Sequence, residues 1–185
     1  LSWTHGGGSP SAALIGIADT DRPLHVGVLL GNNPEMLTAM AAAGLGGYVL
    51  CGINNTRRGD ALARDIRRGD CQLLLTDDQH LGLLDGLDLT DVRVLVVGSP
   101  EWNALTAQAG PLTPHRESGA TDTFMLIFTS GTSGDPKAVQ MMHAMVLLAG
   151  AALAARYELT PDDVCYLSMP LFHSNAVMAG WAPAL

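Results

Sequence analysis

From His25 onward, short unbroken apolar runs alternate with segments whose apolar residues recur at helical spacing. The runs His25–Leu30, Tyr48–Ile53, Cys71–Thr76, Val92–Val97 and Phe124–Phe128 are rich in Val, Leu and Ile and carry no polar alternation. That pattern predicts strands buried on both faces. Gly31-Asn-Asn-Pro34 has the residues of a helix start, and Gly46-Gly47 those of a stop. Between them Leu37, Met40, Ala41, Gly44 and Leu45 fall on one helical face. A second helix is predicted over Arg57–Asp70, with Leu62 and Ile66 four apart and Asp60 four residues before Arg64. Further helices are predicted over His80–Leu87 and Ala144–Tyr157.

Strand and helix in regular alternation predict an α/β fold, a parallel or mixed sheet flanked by helices on both faces. Right-handed crossovers would gather the C-terminal ends of the strands along one edge, where open α/β sheets bind ligands. Residues 98–121, rich in Pro, Gly and small polar residues, read as a surface connection, and residues 1–24 as a flexible start. No internal repeat is visible.

Composition narrows the function. Ten basic against eighteen acidic residues give a formal charge of −8, which disfavours a general nucleic-acid binder but leaves room for a nucleotide in a local cradle. Cys51, Cys71 and Cys165 are far apart and form no CxxC or Cys/His ligand pattern, so neither a metal nor a disulfide framework is expected. The longest apolar stretch, Ala144–Ala155, falls short of the roughly 20 residues that cross a bilayer, and a soluble, cytoplasmic protein is expected. Three aspartates interleave with the five arginines of the 57–70 segment, which reads as a solvated helix face and not a basic patch.

Candidate chemistry concentrates in Thr129-Ser-Gly-Thr-Ser-Gly-Asp-Pro-Lys137, directly after the fifth strand. Thr129, Ser130, Thr132 and Ser133 offer hydroxyls, and Gly131 and Gly134 permit close backbone approach. Lys137 is the single lysine beside nine arginines. Backbone N–H groups in such a turn form a concavity for anionic oxygens, and an ammonium adds a point charge suited to phosphate. The alternative is a Ser/Gly-rich surface turn. The unique lysine and the place at a ligand-binding edge favour phosphate. It is not a Walker A loop, because Pro136 and Ala138 stand where Gly and Ser or Thr are required.

This segment resembles the signature loop of the adenylate-forming superfamily, Thr/Ser-Ser-Gly-Thr-Thr/Ser-Gly-x-Pro-Lys-Gly, departing only at Ala138. Met142-His143 lies where relatives open the following helix. Ser168-Met-Pro-Leu-Phe-His173-Ser174 looks like their Pro-Leu-Phe-His segment, and Ile53-Asn-Asn-Thr-Arg-Arg-Gly59 is similar to a stretch of long-chain acyl-CoA synthetases.

The resemblance implies that residues 25–185 are part of the large N-terminal, AMP-binding domain of such an enzyme. It assigns ATP phosphates to Thr129, Ser130, Gly131, Thr132, Ser133, Gly134 and Lys137, with Lys137 catalytic, and an acyl or carboxylate pocket to Phe172, His173 and Ser174. The implied reaction converts a carboxylic acid, with a fatty acid preferred, to acyl-AMP and then acyl-CoA. ATP, Mg2+ bound through ATP, and coenzyme A would take part, with no metal site of the chain's own. The later Tyr-Gly-x-Thr-Glu segment, ribose-binding aspartate, hinge and C-terminal domain do not occur in these 185 residues. The chain by itself is therefore expected to be inactive, to expose apolar surface through which it could associate, and to meet membranes at most peripherally. The alternatives are a non-catalytic ATP- or partner-binding fragment, and an acyl-AMP ligase that loads a carrier protein.

Overall fold

The computed structural model describes residues 23–107, 114, 116–129 and 137–185. Its centre is one six-stranded sheet: β1 (His25–Leu29), β2 (Val49–Gly52), β3 (Leu73–Thr76), β4 (Arg93–Val96), β5 (Thr123–Thr129) and β6 (Lys137–Met142), in the order β4-β3-β1-β2-β5-β6. All five predicted strands are present and mutually parallel. β6, which the hydrophobic pattern did not predict, returns antiparallel beside β5. Its first four residues are exposed, as suits the last strand in the order, and exposure leaves no apolar run to read.

Helices cover both faces. On one lie α1 (Pro34–Gly46), α4 (Pro100–Ala107) and α5 (His143–Tyr157); on the other lie α2 (Gly59–Arg68) and the short α3 (Asp78–Leu81), which tightens into a 3-10 turn over Gly82–Leu84. Alternate strand residues feed two separate cores. Val26, Val28, Leu50, Leu73, Leu75, Met125 and Ile127 point toward α1. Leu29, Cys51, Leu74, Leu126 and Phe128 point toward Leu62 and Ile66 of α2.

α1 begins as its sequence requires. Asn33 caps it by accepting from Met36 N at 2.9 Å, and Pro34 follows at the first turn, where its missing N–H is not needed. It stops at Gly47, whose φ of 73° lies in the left-handed region and where a Cβ would collide with the Arg116 carbonyl oxygen. The buried face is not the expected one. Met36, Ala39, Met40, Ala42, Ala43 and Gly46 are buried, whereas Leu37 and Leu45 are 42% and 66% exposed. The helix is apolar almost all round, so periodicity does not single out a face, and the Ala/Gly side allows the closer approach to the sheet.

Two further expectations are corrected. Residues 98–121 are not wholly connection, because α4 lies within them. Ser99 accepts from Trp102 N at 3.1 Å, and Pro100 and Glu101 follow, a helix-start signal masked by the small polar residues around it. The arginine-rich helix is not merely a solvated face either: Asp65 is 1% exposed and accepts from Arg57 Nε at 3.0 Å. The expectations for residues 1–22 lie outside the described residues. Leu24, just after them, is buried, and its carbonyl accepts from Val49 N at 2.9 Å.

Beyond α5 the chain crosses back over the α1 face. Leu171, Ala176, Val177 and Ala182 join the first core, with a helical turn at Ala176–Trp181 and a 3-10 turn at Ala182–Ala184. Gly150 of α5 makes this docking possible, since a Cβ there would sit 2.5 Å from the Ala182 carbonyl oxygen. Trp181 stacks on Phe124 with ring centroids 5.7 Å apart.

Candidate nucleotide and acyl site

Because β1, β2, β3 and β5 are parallel, the segments after Leu29, Gly52, Thr76 and Thr129 leave the sheet along one edge. At the β5 end, Thr129 stands opposite Lys137 as a partner pair in the β5–β6 ladder. Both are exposed. The ladder therefore brings together the first and last residues of the candidate loop and turns Lys137 back toward the strand that launched it. Ser130, Gly131, Thr132, Ser133 and Gly134 lie outside the described residues.

The Pro170–Ser174 segment comes to the same edge. A Cβ on Gly52 would lie 2.7 Å from Met125 Cε and 3.1 Å from both Cα and Cβ of Phe172, so the bare glycine is what admits Phe172 to the sheet. Gly52 is in register with Ile127, two residues before Thr129. Phe172 is 4% exposed, His173 half-buried and Ser174 exposed; the Phe172 and His173 rings lie 4.6 Å apart at 52°. His173 N donates to Pro170 O at 2.9 Å, closing a turn, and Val177 N donates to His173 O at 3.2 Å. Of the sequence-assigned residues, the structure thus gathers Thr129, Lys137, Phe172, His173 and Ser174 around the ends of β2 and β5.

Sequence reasoning missed the polar residues that brace this edge. Asn32 reaches across to the Pro-Leu-Phe-His segment, donating from Nδ2 to Met169 O and accepting from Leu171 N, both at 2.9 Å. Asn55 donates toward Leu30 O at 3.4 Å, and its Nδ2 lies 3.3 Å from His80 Nε2. His80 Nδ1 meets Asp77 Oδ1 at 2.6 Å, and Asn33 Nδ2 meets Asp77 Oδ2 at 3.5 Å. Leu30, Asn55, His80, Asp77 and Asn33 thereby close a ring that ties together the loops after β1, β2 and β3. The available signal was the placement of Asn32, Asn33, Asn55 and Asp77 immediately after strands, where Asx residues otherwise read only as turn formers.

An apolar groove of about 330 Å3 opens at the start of β5, lined by Met40, Gly44, Phe124, His143, Trp181 and Leu185. It lies five residues along β5 from Thr129, roughly 17 Å at strand spacing. His143 is the first residue of α5, and its ring meets Phe124 edge-on at 5.4 Å. Desolvation, reinforced by Arg116 and opposed by Asp122, holds its imidazole below the ordinary histidine range. No helix among the described residues is long and apolar enough to cross a membrane.

The sequence model of the AMP-binding enzyme family matches residues 11–185. The chain belongs to that family. Among individual members of the AMP-binding family, a medium/long-chain-fatty-acid–CoA ligase of Mycobacterium marinum is 47% identical over 180 residues, covering 97% of this chain and 35% of the ligase. A steroid-22-oyl-CoA synthetase of Rhodococcus jostii is 44% identical over 169 residues, covering 89% of this chain and 30% of that enzyme. The chain thus spans about a third of the length of these AMP-binding relatives. In three dimensions it superposes on a long-chain-fatty-acid–CoA ligase of Archaeoglobus fulgidus with a TM-score of 0.77 at 18% identity, covering 95% of this chain and 36% of that structure. The six-stranded sheet and its flanking helices thus share the fold of that solved ligase.

Proposed function

We propose that the whole protein carrying these residues is an AMP-forming ligase that activates a carboxylic acid, a fatty acid in preference, and passes the acyl group to coenzyme A. The observation that carries this reading is the pairing of Thr129 with Lys137 at the binding edge of the sheet, beside the Phe172–His173 segment. Lys137 faces the triphosphate in this reading, with Thr129, Ser130, Gly131, Thr132, Ser133 and Gly134 cradling the β- and γ-phosphates. Phe172, His173 and Ser174 border the carboxylate and acyl chain, and residues 25–185 are part of the nucleotide-binding domain.

The first half-reaction is attack of a carboxylate oxygen on the α-phosphorus, forming the acyl–phosphate bond as pyrophosphate leaves. In the second, the thiolate of coenzyme A takes the acyl carbon and AMP leaves. The chain's own contribution to the first is positioning and charge. Lys137 places a cation where charge builds on the departing pyrophosphate, and fixed donors there need no reorganisation during reaction. Mg2+ carried on the nucleotide would neutralise further phosphate charge. Coenzyme A is preferred to a carrier protein as acceptor because the curated relatives bear the names of CoA ligases and synthetases. A cytoplasmic setting, with peripheral contact to the bilayer when long acyl chains are substrates, belongs to the same reading.

The test is carboxylate-dependent exchange of pyrophosphate into ATP, followed by acyl-CoA formation, with the whole protein and a panel of fatty acids. Exchange with fatty acids and CoA-dependent release of AMP is expected. Failure of every carboxylate on a folded sample would overturn the reading.

A further inference from the structure

We propose that Asn32 is a positioning residue that seats the Met169–His173 segment against the sheet and thereby sets how tightly the acid substrate is held. The kinetic part of this proposal rests on the ligase reading above; the anchoring part does not. Residues 158–173 run from α5 toward the Ala176 turn without regular secondary structure. Among the described residues, the two Asn32 bonds are the hydrogen bonds that connect residues 160–175 to the sheet or its loops, across sequence separations of 137 and 139. One amide supplies both, its NH2 donating to a carbonyl and its oxygen accepting from an N–H two residues on. It thus substitutes for the missing neighbour strand. The other attachments nearby are packing ones, Leu171 in the first core and Phe172 over bare Gly52.

The support under Asn32 is itself fixed. Asn33 N donates to Gly31 O at 3.0 Å, Asn33 caps α1, and the next residue is Pro34. The two adjacent asparagines therefore do different work. Asn33 holds the turn to the helix and, through Asp77, to the β3 loop. Asn32 extends from that turn to the segment bearing Phe172 and His173. Losing Asn32 would leave the Met169 carbonyl and the Leu171 N–H without their partner and release the wall while leaving β5, β6 and Lys137 in place.

The experiment compares N32A, N32D and N32Q in the whole protein. N32D keeps an acceptor for Leu171 but sets a carboxylate oxygen against the Met169 carbonyl; N32Q keeps the amide on a longer stem. Expected for N32A and N32D is a rise of about tenfold in the KM for the carboxylic acid, the size that follows from losing such a pair. The KM for ATP should be unchanged and N32Q should recover part of the loss. In parallel, amide hydrogen exchange at Leu171 should accelerate in N32A, with exchange in β1 and β5 unaltered. Equal changes in both KM values, or no change in either, would overturn the positioning role. Should the wild type activate no carboxylate, the ligase reading falls and with it the kinetic role. The anchor is then decided by exchange alone: faster exchange at Leu171 in N32A sustains it, and unchanged exchange ends it.

Discussion

Lys137 and Thr129 face each other across the first rung of the β5–β6 ladder, so the backbone of the chain's unique lysine is fixed in place by sheet register. A flexible tether would leave the ammonium free to wander. An antiparallel partner holds its backbone at the end of β5, and in the proposed arrangement only the side chain remains to be ordered when a phosphate binds.

The first prediction concerns that ammonium. Lys137→Ala in the whole protein should lower the rate of acyl-AMP formation by about 100-fold, as removal of one preorganised charge-stabilising group does. The affinity for the carboxylic acid should change little, because Lys137 faces phosphate in the proposed arrangement. Single-turnover adenylation set beside acid binding separates the two, and equal rates for mutant and wild type would remove the assignment.

Gly52→Ala tests the seat of Phe172. The added methyl would approach Phe172 Cα and Cβ at 3.1 Å, a backbone neighbour that can give way only by moving the segment. A loss of about 1–3 kcal/mol is expected from such overpacking. Thermal unfolding should report it, together with a shift in acyl chain-length preference. An unaltered melting temperature and substrate profile would show that the segment is not held there.

His143 gives a pH dependence of defined sign. Its imidazole is held below the ordinary value, first by desolvation, so on acidification the unfolded chain binds this proton before the folded one does. Its contribution is full above roughly pH 6.5, the unfolded histidine value. It is lost as pH falls through the lower folded value. The melting temperature should therefore drop between pH 7 and pH 5, and His143→Gln should flatten that slope. A slope identical in the mutant would assign the effect elsewhere.

Gly150→Ala should loosen the turn after Trp181. The methyl would meet the Ala182 carbonyl oxygen at 2.5 Å and its carbon at 2.7 Å, both backbone atoms. Destabilisation of about 1–3 kcal/mol is expected. Separation of Trp181 from Phe124 should accompany it, visible as altered tryptophan emission.

Much of the architecture was legible because buried parallel strands leave unbroken apolar runs: β1, β2, β3 and β5 announce themselves so, and β4, at one end of the strand order with Leu95 its one buried residue, still carries Val-Leu-Val. What the pattern could not show follows from the same physics. β6 is mostly exposed and carries Lys-Ala-Val-Gln, without the run that burial writes into a strand. α1 is apolar all round, so Leu37 and Leu45 were assigned to a face they do not bury. α4 hid among small polar residues although Ser99-Pro100-Glu101 is a helix start. In the site, the loop residues and Phe172-His173 were legible as a motif, a property of local sequence. Asn32, Asn55, Asp77 and His80 were not, because, the local Asp77–His80 pair aside, their partners lie 25 to 139 residues away.

Asn33, Asp77, His80 and Asn55 make the ends of three strands a single mechanical part, with Asn32 projecting from it. If the proposed ligase reading holds, the polar ring is the chassis and the 169–174 segment the panel to vary for anyone wishing to alter which acid is accepted. Sequence changes in the panel must keep Leu171 and Phe172 packed and retain a backbone N–H at 171 for Asn32, which excludes proline there. Changes in the ring propagate to three loops at once. His80, buried and remote from the motif residues in sequence, is where a library aimed at specificity should leave the chain alone.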